Sequence, residues 1–352
     1  MRKWVAIGPA PLLGMLAPLA DEHRRFGSAE LVEVSSSGLA RYVQRVSEPG
    51  TTVVIVESPF EPSVRGRFKS PFARSSNGSG VFVSWLRLEA ERLGAYANRA
   101  AALLNRSGDQ PRTVVLLAGR EQRYLQLLGE LEGIANHSAQ LPQTRRLPLF
   151  RWSGERIRRT PLTGALKLGA AAILFRGHGT ARGWFAYGGM SAKTLAGKDA
   201  WSADQASSVM FSLSCSTGSA EPVAGRAEPA SGPADGAPEL GFADAVVAAG
   251  AAGAVVAPVG DPLHANNRVL ARALMHAMCG GSVCVREVLE RAFLLRAPLD
   301  GFAVIGDPEL PVHSAAGAAE RGKAVFAPAA GELLTPRTSG WTFACPDLVN
   351  TG

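Results

Sequence analysis

The 352-residue chain is poor in cysteine, in aromatic side chains and in long apolar runs. Its four cysteines are too few to form a disulfide framework at this length, so we expect free thiols; they are Cys215, Cys279, Cys284 and Cys345. Cys279 and Cys284 have a loose zinc-like spacing, but no second pair follows nearby to complete a metal site. We therefore predict that the protein holds no metal and needs no cofactor.

The chain also lacks an apolar run long enough to span a membrane. The segment 1–20 has the basic start and apolar continuation of a signal peptide. However, Gly8-Pro9 and Pro11 interrupt this stretch early, and Trp4–Gly8 has the pattern of a first strand. We favour the strand, and with it a cytoplasmic protein that has no membrane partner.

Excess charge is small, with a formal net charge of +7 and 19% charged residues. Arginines cluster in the segment 145–159, which could bind nucleic acid. No known nucleic-acid module accompanies them, so we expect a solvated linker and no nucleic-acid partner. A Gly-rich phosphate loop is also missing after the first strand, since Ile7-Gly-Pro-Ala-Pro is not one, and this argues against a nucleotide-binding protein.

Short β-branched runs alternate with amphipathic segments through the first half of the chain. We predict strands at 4–8, 31–34, 51–57 and 113–118, helices at about 10–26, 38–47, 82–106 and 120–135, and a surface loop at 59–80. This alternation indicates an α/β fold with a mostly parallel sheet. A Pro- and Arg-rich stretch at 138–162 suggests a boundary. We therefore expect an N-terminal α/β accessory subdomain (1–145), a catalytic subdomain (160–313) and an irregular tail (314–352).

The second half contains two apolar runs that each end in a chemically active motif. Residues 170–176 are followed by Gly177-His178-Gly179, and residues 208–214 by Cys215-Ser-Thr-Gly218. Such runs, ended by Gly-rich turns, are typical of buried parallel strands. Because chemistry collects at the carboxyl ends of parallel strands, we expect His178 and Cys215 to meet at one edge of the sheet.

A thiol and an imidazole together form a nucleophilic site, because the imidazole can take the proton of the thiol. The main-chain N–H groups of Gly179 and Cys215 are then candidates to stabilise an oxyanion. The alternatives are a structural histidine and an inert buried cysteine, and spacing by itself does not exclude them.

Four segments resemble motifs of the clan CD peptidases, which include caspases, separases, gingipains and CHAT-domain proteases. Phe175-Arg-Gly-His178-Gly is similar to their histidine motif, and Phe211-Ser-Leu-Ser-Cys215-Ser-Thr-Gly to the cysteine motif of the CHAT type. The segment 241–258 resembles the helix and strand that follow the cysteine in CHAT and gingipain proteins. Val304-Ile-Gly-Asp-Pro308 is similar to their closing strand. The resemblance covers residues 160–312.

This resemblance implies a caspase-like fold and a cysteine endopeptidase that cleaves protein or peptide substrates through a thioester. Cys215 would be the nucleophile and His178 the base or proton donor, without a required third residue. Asp199 and Asp204 lie between the two motifs, but we expect them to be surface carboxylates. A regulatory protein partner is compatible with this family. The alternative is a catalytically silent caspase-like module that binds proteins.

Substrate preference would depend on Asp261, which follows the strand after the cysteine. The family resemblance places an S1 carboxylate there, and a carboxylate would favour Arg or Lys at P1 through a charge-assisted hydrogen bond. Asp261-Pro262 is equally typical of a simple turn. Trp184 and Tyr187 could line the cleft or cover the core. The Ala-, Gly- and Pro-rich insert at 219–240 could gate the site or be processed.

Overall fold

The fold is described from a computed structural model. It describes residues 3–46, 48–74, 80–106, 113–140, 148–153, 166–167, 169–185, 190–196, 201–220 and 240–312. The strands are β1 Lys3–Gly8, β2 Ser28–Glu33, β3 Thr51–Glu57, β4 Phe72–Arg74, β5 Gly80–Arg87, β6 Val114–Ala118, β7 Leu149–Ser153, β8 Ala172–Arg176, β9 Gly179–Thr180, β10 Gly183–Trp184, β11 Met190–Ser191, β12 Ser207–Leu213, β13 Ala252–Pro258 and β14 Phe302–Gly306.

The helices connect and cover these strands. They are α1 Ala10–Leu13, α2 Ala17–Arg24, α3 Leu39–Arg45, α4 Ala90–Leu104, α5 Gln122–Ser138, α6 Ala192–Ala196, α7 Phe242–Ala249, α8 His264–Cys279 and α9 Val285–Leu294. Helix α4 packs against α2 and α7, whereas α8 packs against α5 and α9. None of the described helices is long and apolar enough to cross a membrane.

An eleven-stranded sheet organises the described part of the chain. Its order is β2-β1-β3-β5-β14-β13-β12-β8-β6-β7, with β4 paired to β5. Two groups of strands are parallel within themselves: β13, β12, β8, β6 and β7 form one group, and β2, β1, β3 and β5 form the other. Strand β14 runs antiparallel to β13. The predicted α/β class with a mostly parallel sheet is therefore confirmed.

The central strands are buried along their whole length, which explains their mostly apolar sequences. Every residue of β3, β6, β8, β12, β13 and β14 is buried. One contiguous core joins these strands to the apolar faces of the helices. Because the sheet runs continuously through both halves of the chain, the proposed division into subdomains stays a prediction.

Three elements differ from the sequence-based prediction. Strand β4 lies inside the segment 59–80, which we expected to be a surface loop. The segment 82–106 is not one helix, because Gly80–Arg87 forms strand β5 and the helix begins only at Ala90. Val81–Arg87 is buried on both faces, so it shows neither the alternation of a surface strand nor a helical period. Strand β7 lies inside the stretch that we expected to be a linker. Residues 221–239 of the insert and the tail from 313 onward lie outside the described residues.

Candidate active site

The site is built where two neighbouring parallel strands end. Strand β8 pairs with β12 in parallel, and the last residue pair of this register is Arg176 with Leu213. His178 lies two residues beyond Arg176, and Cys215 lies two residues beyond Leu213. The sheet therefore brings both motifs to the same edge at the same level, as the sequence predicted.

Cys215 begins a tight turn that is tied to the end of β13. The N–H of Ser216 donates to Gly260 O at 2.8 Å, and the N–H of Gly218 donates to Pro258 O at 2.8 Å. Ser216 has a φ of 54°, in the left-handed region that a non-glycine residue seldom adopts. Strained turns of this kind are often found at functional sites. The turn leaves the thiol half-buried.

A buried hydroxyl network supports the turn from below. Trp184 Nε1–H donates to Ser212 Oγ at 2.9 Å. The same oxygen lies 2.9 Å from Thr217 Oγ1 and 3.1 Å from Ser214 Oγ. The Thr217 hydroxyl also donates to Ser214 O at 3.1 Å. These bonds fix the residues on both sides of Cys215, so the position of the thiol is set by the core.

The turn after β8 packs directly on the turn after β12. A side chain on Gly179 would approach the Ser214 hydroxyl to 2.8 Å and a Thr217 methyl to 3.0 Å, so only glycine fits there. Phe185 N–H donates to His178 O at 3.2 Å. In the antiparallel pairing of β9 with β10, Gly179 lies opposite Trp184. Because the neighbouring pair, His178 and Phe185, is hydrogen-bonded, Gly179 and Trp184 form a non-hydrogen-bonded pair, and the N–H of Gly179 points away from β10.

The imidazole of His178 is held by the end of β6 and the start of α5. Its Nε2 hydrogen-bonds to Glu121 and lies 3.3 Å from the Tyr124 hydroxyl. The Tyr124 ring contacts the imidazole edge-to-face, with centroids 5.7 Å apart. The His178 side chain is 55% exposed. Among the described residues, no hydrogen bond joins His178 to Cys215 in this conformation.

The charges of Asp261 and Arg176 act on the Cys215 thiol in opposite directions. Burial raises its pKa, the charge of Asp261 and a hydrogen bond to this carboxylate raise it further, and the guanidinium of Arg176 lowers it, with a net rise. Asp261 is exposed and also accepts a hydrogen bond from Ser216 Oγ at 2.8 Å. The resting thiol is therefore protonated, and a carboxylate open to solvent lies beside it.

Two buried arginines from the first half of the chain hold the main chain just after Cys215. Arg65 donates to Gly218 O at 3.0 Å and forms a two-point ion pair with Asp244, at 2.7 and 3.0 Å. Arg87 donates to Ala220 O at 3.0 Å. The two arginines donate hydrogen bonds to these main-chain carbonyls and thereby anchor the chain just after the turn.

Comparison with known proteins identifies the architecture. No family model and no curated protein matches the chain. Among solved structures, the Arg-specific cysteine proteinase gingipain R (RgpB) superposes with a TM-score of 0.65 at 13% identity, over 88% of this chain and 78% of that chain. The fold is that of gingipain R. The complex of Porphyromonas gingivalis RgpB pro- and mature domains gives 0.63 at 13%, over 88% and 79%. A structure described as a protease gives 0.61 at 10%, over 88% and 78%.

The similarity to gingipain R confirms the predicted caspase-like fold. At 13% identity it shows the fold and not the activity, so the roles of His178, Cys215, Gly179 and Asp261 stay predictions. Within the gingipain-like sheet, Asp204 lies at the amino end of β12, the end opposite to Cys215, so it cannot orient His178. Trp184 is core, because it stacks on Phe175 at 3.9 Å. Tyr187 and Asp199 lie outside the described residues.

Four side chains at this edge of the gingipain-like sheet were not predicted from the sequence as site residues; they are Glu121, Tyr124, Arg176 and His264. The ends of β6 and β8 coincide, since Ala118 pairs with Arg176. Polar residues that follow the predicted strand 113–118 were therefore the signal that could have found Glu121 and Tyr124. Nothing in the local sequence indicates that His264, at the start of α8, reaches Arg176. Among the described residues, no cluster of three or more His, Cys, Asp or Glu side chains could hold a metal ion.

Proposed function

We propose that this protein is a cysteine peptidase in which Cys215 is the nucleophile and His178 transfers the proton. The observation that carries this proposal is the register of β8 and β12, which places the two residues two positions beyond paired strand ends. The packing of Gly179 against Ser214 and Thr217, which flank Cys215, supports it, because the main-chain N–H of Gly179 is then a candidate donor to an oxyanion formed at the thiol.

The reaction follows from these groups. The Cys215 thiol gives its proton to His178, and the sulfur attacks the carbonyl carbon of the scissile peptide bond. The oxyanion accepts hydrogen bonds from the N–H groups of Gly179 and Cys215. His178 then protonates the leaving amine as the C–N bond breaks, which leaves a thioester. Water that loses its proton to His178 attacks the thioester, releasing a carboxylic acid and the thiol.

Glu121 supports the imidazole in this scheme. A carboxylate on Nε2 fixes the tautomer with a proton on that atom, which leaves Nδ1 to exchange protons with the thiol and the leaving amine. The carboxylate also stabilises the imidazolium that forms when the thiol is deprotonated. Burial raises the pKa of Glu121, but its hydrogen bond to His178 and the nearby charges of His178 and Arg123 lower it overall, so Glu121 is ionised at neutral pH.

Asp261 supports a preference for Arg or Lys at P1. Its carboxylate is exposed beside the nucleophile, where the side chain of the residue before the scissile bond would lie. Gingipain R is described as Arg-specific, and the same charge complementarity would apply here. Ser216 holds one carboxylate oxygen at 2.8 Å, so the carboxylate has a fixed direction.

A fluorogenic peptide library tests the proposal. We expect cleavage after Arg or Lys by the wild type, and its loss in both Cys215→Ala and His178→Ala. Unchanged cleavage in either variant would overturn the assignment. The second candidate is a silent protein-binding module, which is favoured by the fact that, among the described residues, His178 bonds to Glu121 and not to Cys215. No cleavage, together with no labelling of Cys215 by a thiol-reactive arginyl peptide, would establish that alternative.

A further inference from the structure

Arg176 is a buried cation that the proposed reaction does not yet use. It is the last residue of β8, and its side chain is 4% exposed. One guanidinium nitrogen donates to Leu213 O and, at 3.3 Å, to Gly177 O. The other lies 2.6 Å from His264 Nδ1. The guanidinium carbon lies 4.8 Å from the centre of the Tyr124 ring.

These contacts connect the two halves of the site. Gly177 directly precedes His178, and Leu213 lies two residues before Cys215. A single planar guanidinium that binds both carbonyls therefore fixes the separation of the two strand ends from which the histidine and the cysteine project. A lysine could keep the charge, but its single ammonium group could not bind these carbonyls and His264 Nδ1 through two separate nitrogens, as Arg176 does.

The charge of Arg176 is not neutralised in the way that the charges of two other buried arginines, Arg65 and Arg286, are. Arg65 pairs with Asp244, and Arg286 pairs with Glu290 and Glu309. Among the described residues, Arg176 hydrogen-bonds to no carboxylate; its partners are two carbonyls and an imidazole nitrogen. Because burying an unpaired charge is costly, such a cation is expected where an anion forms during function.

The anion that the proposed reaction forms is the thiolate of Cys215, which lies two residues beyond the Leu213 carbonyl that Arg176 binds. The charges of Arg176 and ionised Cys215 attract each other, and this attraction opposes the effect of Asp261 on the thiol. Burial lowers the pKa of Arg176, but an arginine remains protonated at neutral pH.

We propose that Arg176 is a positioning residue for the peptidase reaction, holding the ends of β8 and β12 in one geometry and stabilising the thiolate of Cys215. This inference rests on the proposed function, because a thiolate is needed only if Cys215 reacts. His264 accepts a hydrogen bond from Arg176 at Nδ1 and is thereby kept in the tautomer with a proton on Nε2.

The other ionisable groups around Arg176 and Cys215 are accounted for. Tyr124 and Glu121 on the β6 side favour the charged guanidinium, and Arg123 disfavours it. Asp261 disfavours the thiolate. Burial lowers the pKa of His264, with Arg176 and Arg123 lowering it further, so this imidazole is neutral at neutral pH and adds no charge.

The test measures alkylation of Cys215 by iodoacetamide as a function of pH, with the modified peptide quantified by mass spectrometry. Iodoacetamide reacts with the thiolate and does not require peptidase activity. We expect Arg176→Gln to move the alkylation midpoint to higher pH and to slow alkylation at pH 7 about threefold or more. Arg87→Gln is the matched control, because Arg87 is also buried and holds the main chain after Cys215. We expect that variant to keep the wild-type midpoint.

The variant Arg176→Lys distinguishes the two proposed roles of Arg176, since it keeps the positive charge but changes the contacts that hold the ends of β8 and β12. We expect it to keep a midpoint near that of the wild type, while kcat on the best peptide falls about tenfold or more. An unchanged midpoint in Arg176→Gln, or an equal shift in Arg87→Gln, would overturn the electrostatic role. Full kcat in Arg176→Lys would overturn the positioning role. If the wild type cleaves no peptide, the proposed function fails, and the alkylation midpoints still decide the electrostatic role by themselves.

Discussion

Glu121 hydrogen-bonds to Nε2 of His178, and this contact joins the end of β6 to the end of β8. The position of His178 therefore also depends on the segment that follows β6, the strand beside β8 in the sheet. The hydroxyl of Tyr124, three residues after Glu121, also lies 3.3 Å from Nε2 of His178. The imidazole is oriented by α5, while the thiol is oriented by the turn after β12.

We predict that Glu121→Gln lowers kcat by about one to two orders of magnitude and changes KM little. The amide can still bind the imidazole, but it cannot stabilise the imidazolium with a negative charge. Steady-state kinetics on a P1-Arg peptide checks this. Glu132→Gln is the control, because Glu132 lies on the same helix and forms an exposed ion pair with Arg151 at 3.1 Å. Equal kcat values in the two variants would remove Glu121 from the mechanism.

We predict two opposite effects for Asp261→Asn. Removing the carboxylate lets the pKa of the Cys215 thiol fall, because the charge and the hydrogen bond of Asp261 both raise it. Alkylation of Cys215 by iodoacetamide at pH 7 should therefore become faster. The kcat/KM for cleavage after Arg should fall, while that for an uncharged P1 side chain should not.

Asp300→Asn is the control for this experiment, since Asp300 is an exposed aspartate just before β14. It should change neither alkylation nor selectivity. If Asp261→Asn leaves the preference for Arg intact, Asp261 is only part of a turn, which is the alternative that its Asp-Pro sequence allows.

Sequence patterns were sufficient to find the two strands that precede His178 and Cys215. Strands β8 and β12 are mostly apolar segments followed by Gly177 and Ser214, and their buried environment favours such sequences. Burial on both faces also explains why β5 was not predicted, because such a strand does not alternate between apolar and polar residues. Leu86, Leu88 and Leu93 then suggested one long helix, although the helix begins only at Ala90.

The contacts that complete the site depend on strand order, which local sequence does not encode. Glu121 approaches His178 because β6 lies beside β8 in the sheet, although 57 positions separate the two residues. Arg65 lay in a stretch that we expected to be a surface loop. It is buried because Asp244, 179 positions later, supplies a carboxylate at 2.7 Å. Neither residue could have predicted the other.

We predict that Asp244→Asn destabilises the protein by about 3–5 kcal/mol, because it leaves the buried Arg65 guanidinium without its counter-charge. Chemical denaturation of the full chain measures this. The double variant Arg65→Met/Asp244→Leu should be more stable than Asp244→Asn, since it removes both charges.

The exposed pair of Glu130 and Arg268 provides the comparison. Glu130→Gln should cost no more than about 1 kcal/mol. A similar loss in Asp244→Asn and Glu130→Gln would show that the buried pair does not stabilise the turn that follows Cys215.

We predict that Tyr96 makes the protein sensitive to alkaline pH. Its hydroxyl accepts from Asp307 N–H at 2.6 Å and donates to Gly253 O at 2.9 Å, at the end of the sheet opposite to Cys215. Burial raises the pKa of Tyr96 well above its ordinary value of 10.0, and the charge of Asp307 raises it further. Tyr96→Phe should lower the free energy of unfolding by about 1–3 kcal/mol at pH 7, because both main-chain groups lose their partner.

The pH dependence distinguishes ionisation from the loss of these hydrogen bonds. Below pH 10 the phenol is protonated in the folded and in the unfolded chain. Above pH 10 the unfolded chain releases this proton while the folded chain retains it, so the free energy of unfolding falls as the pH rises. Tyr96→Phe lacks this contribution, and all other ionisable groups are shared. The difference in stability between wild type and variant should therefore shrink between pH 9 and pH 11. A difference that stays constant across this range would show that Tyr96 ionises equally in both states.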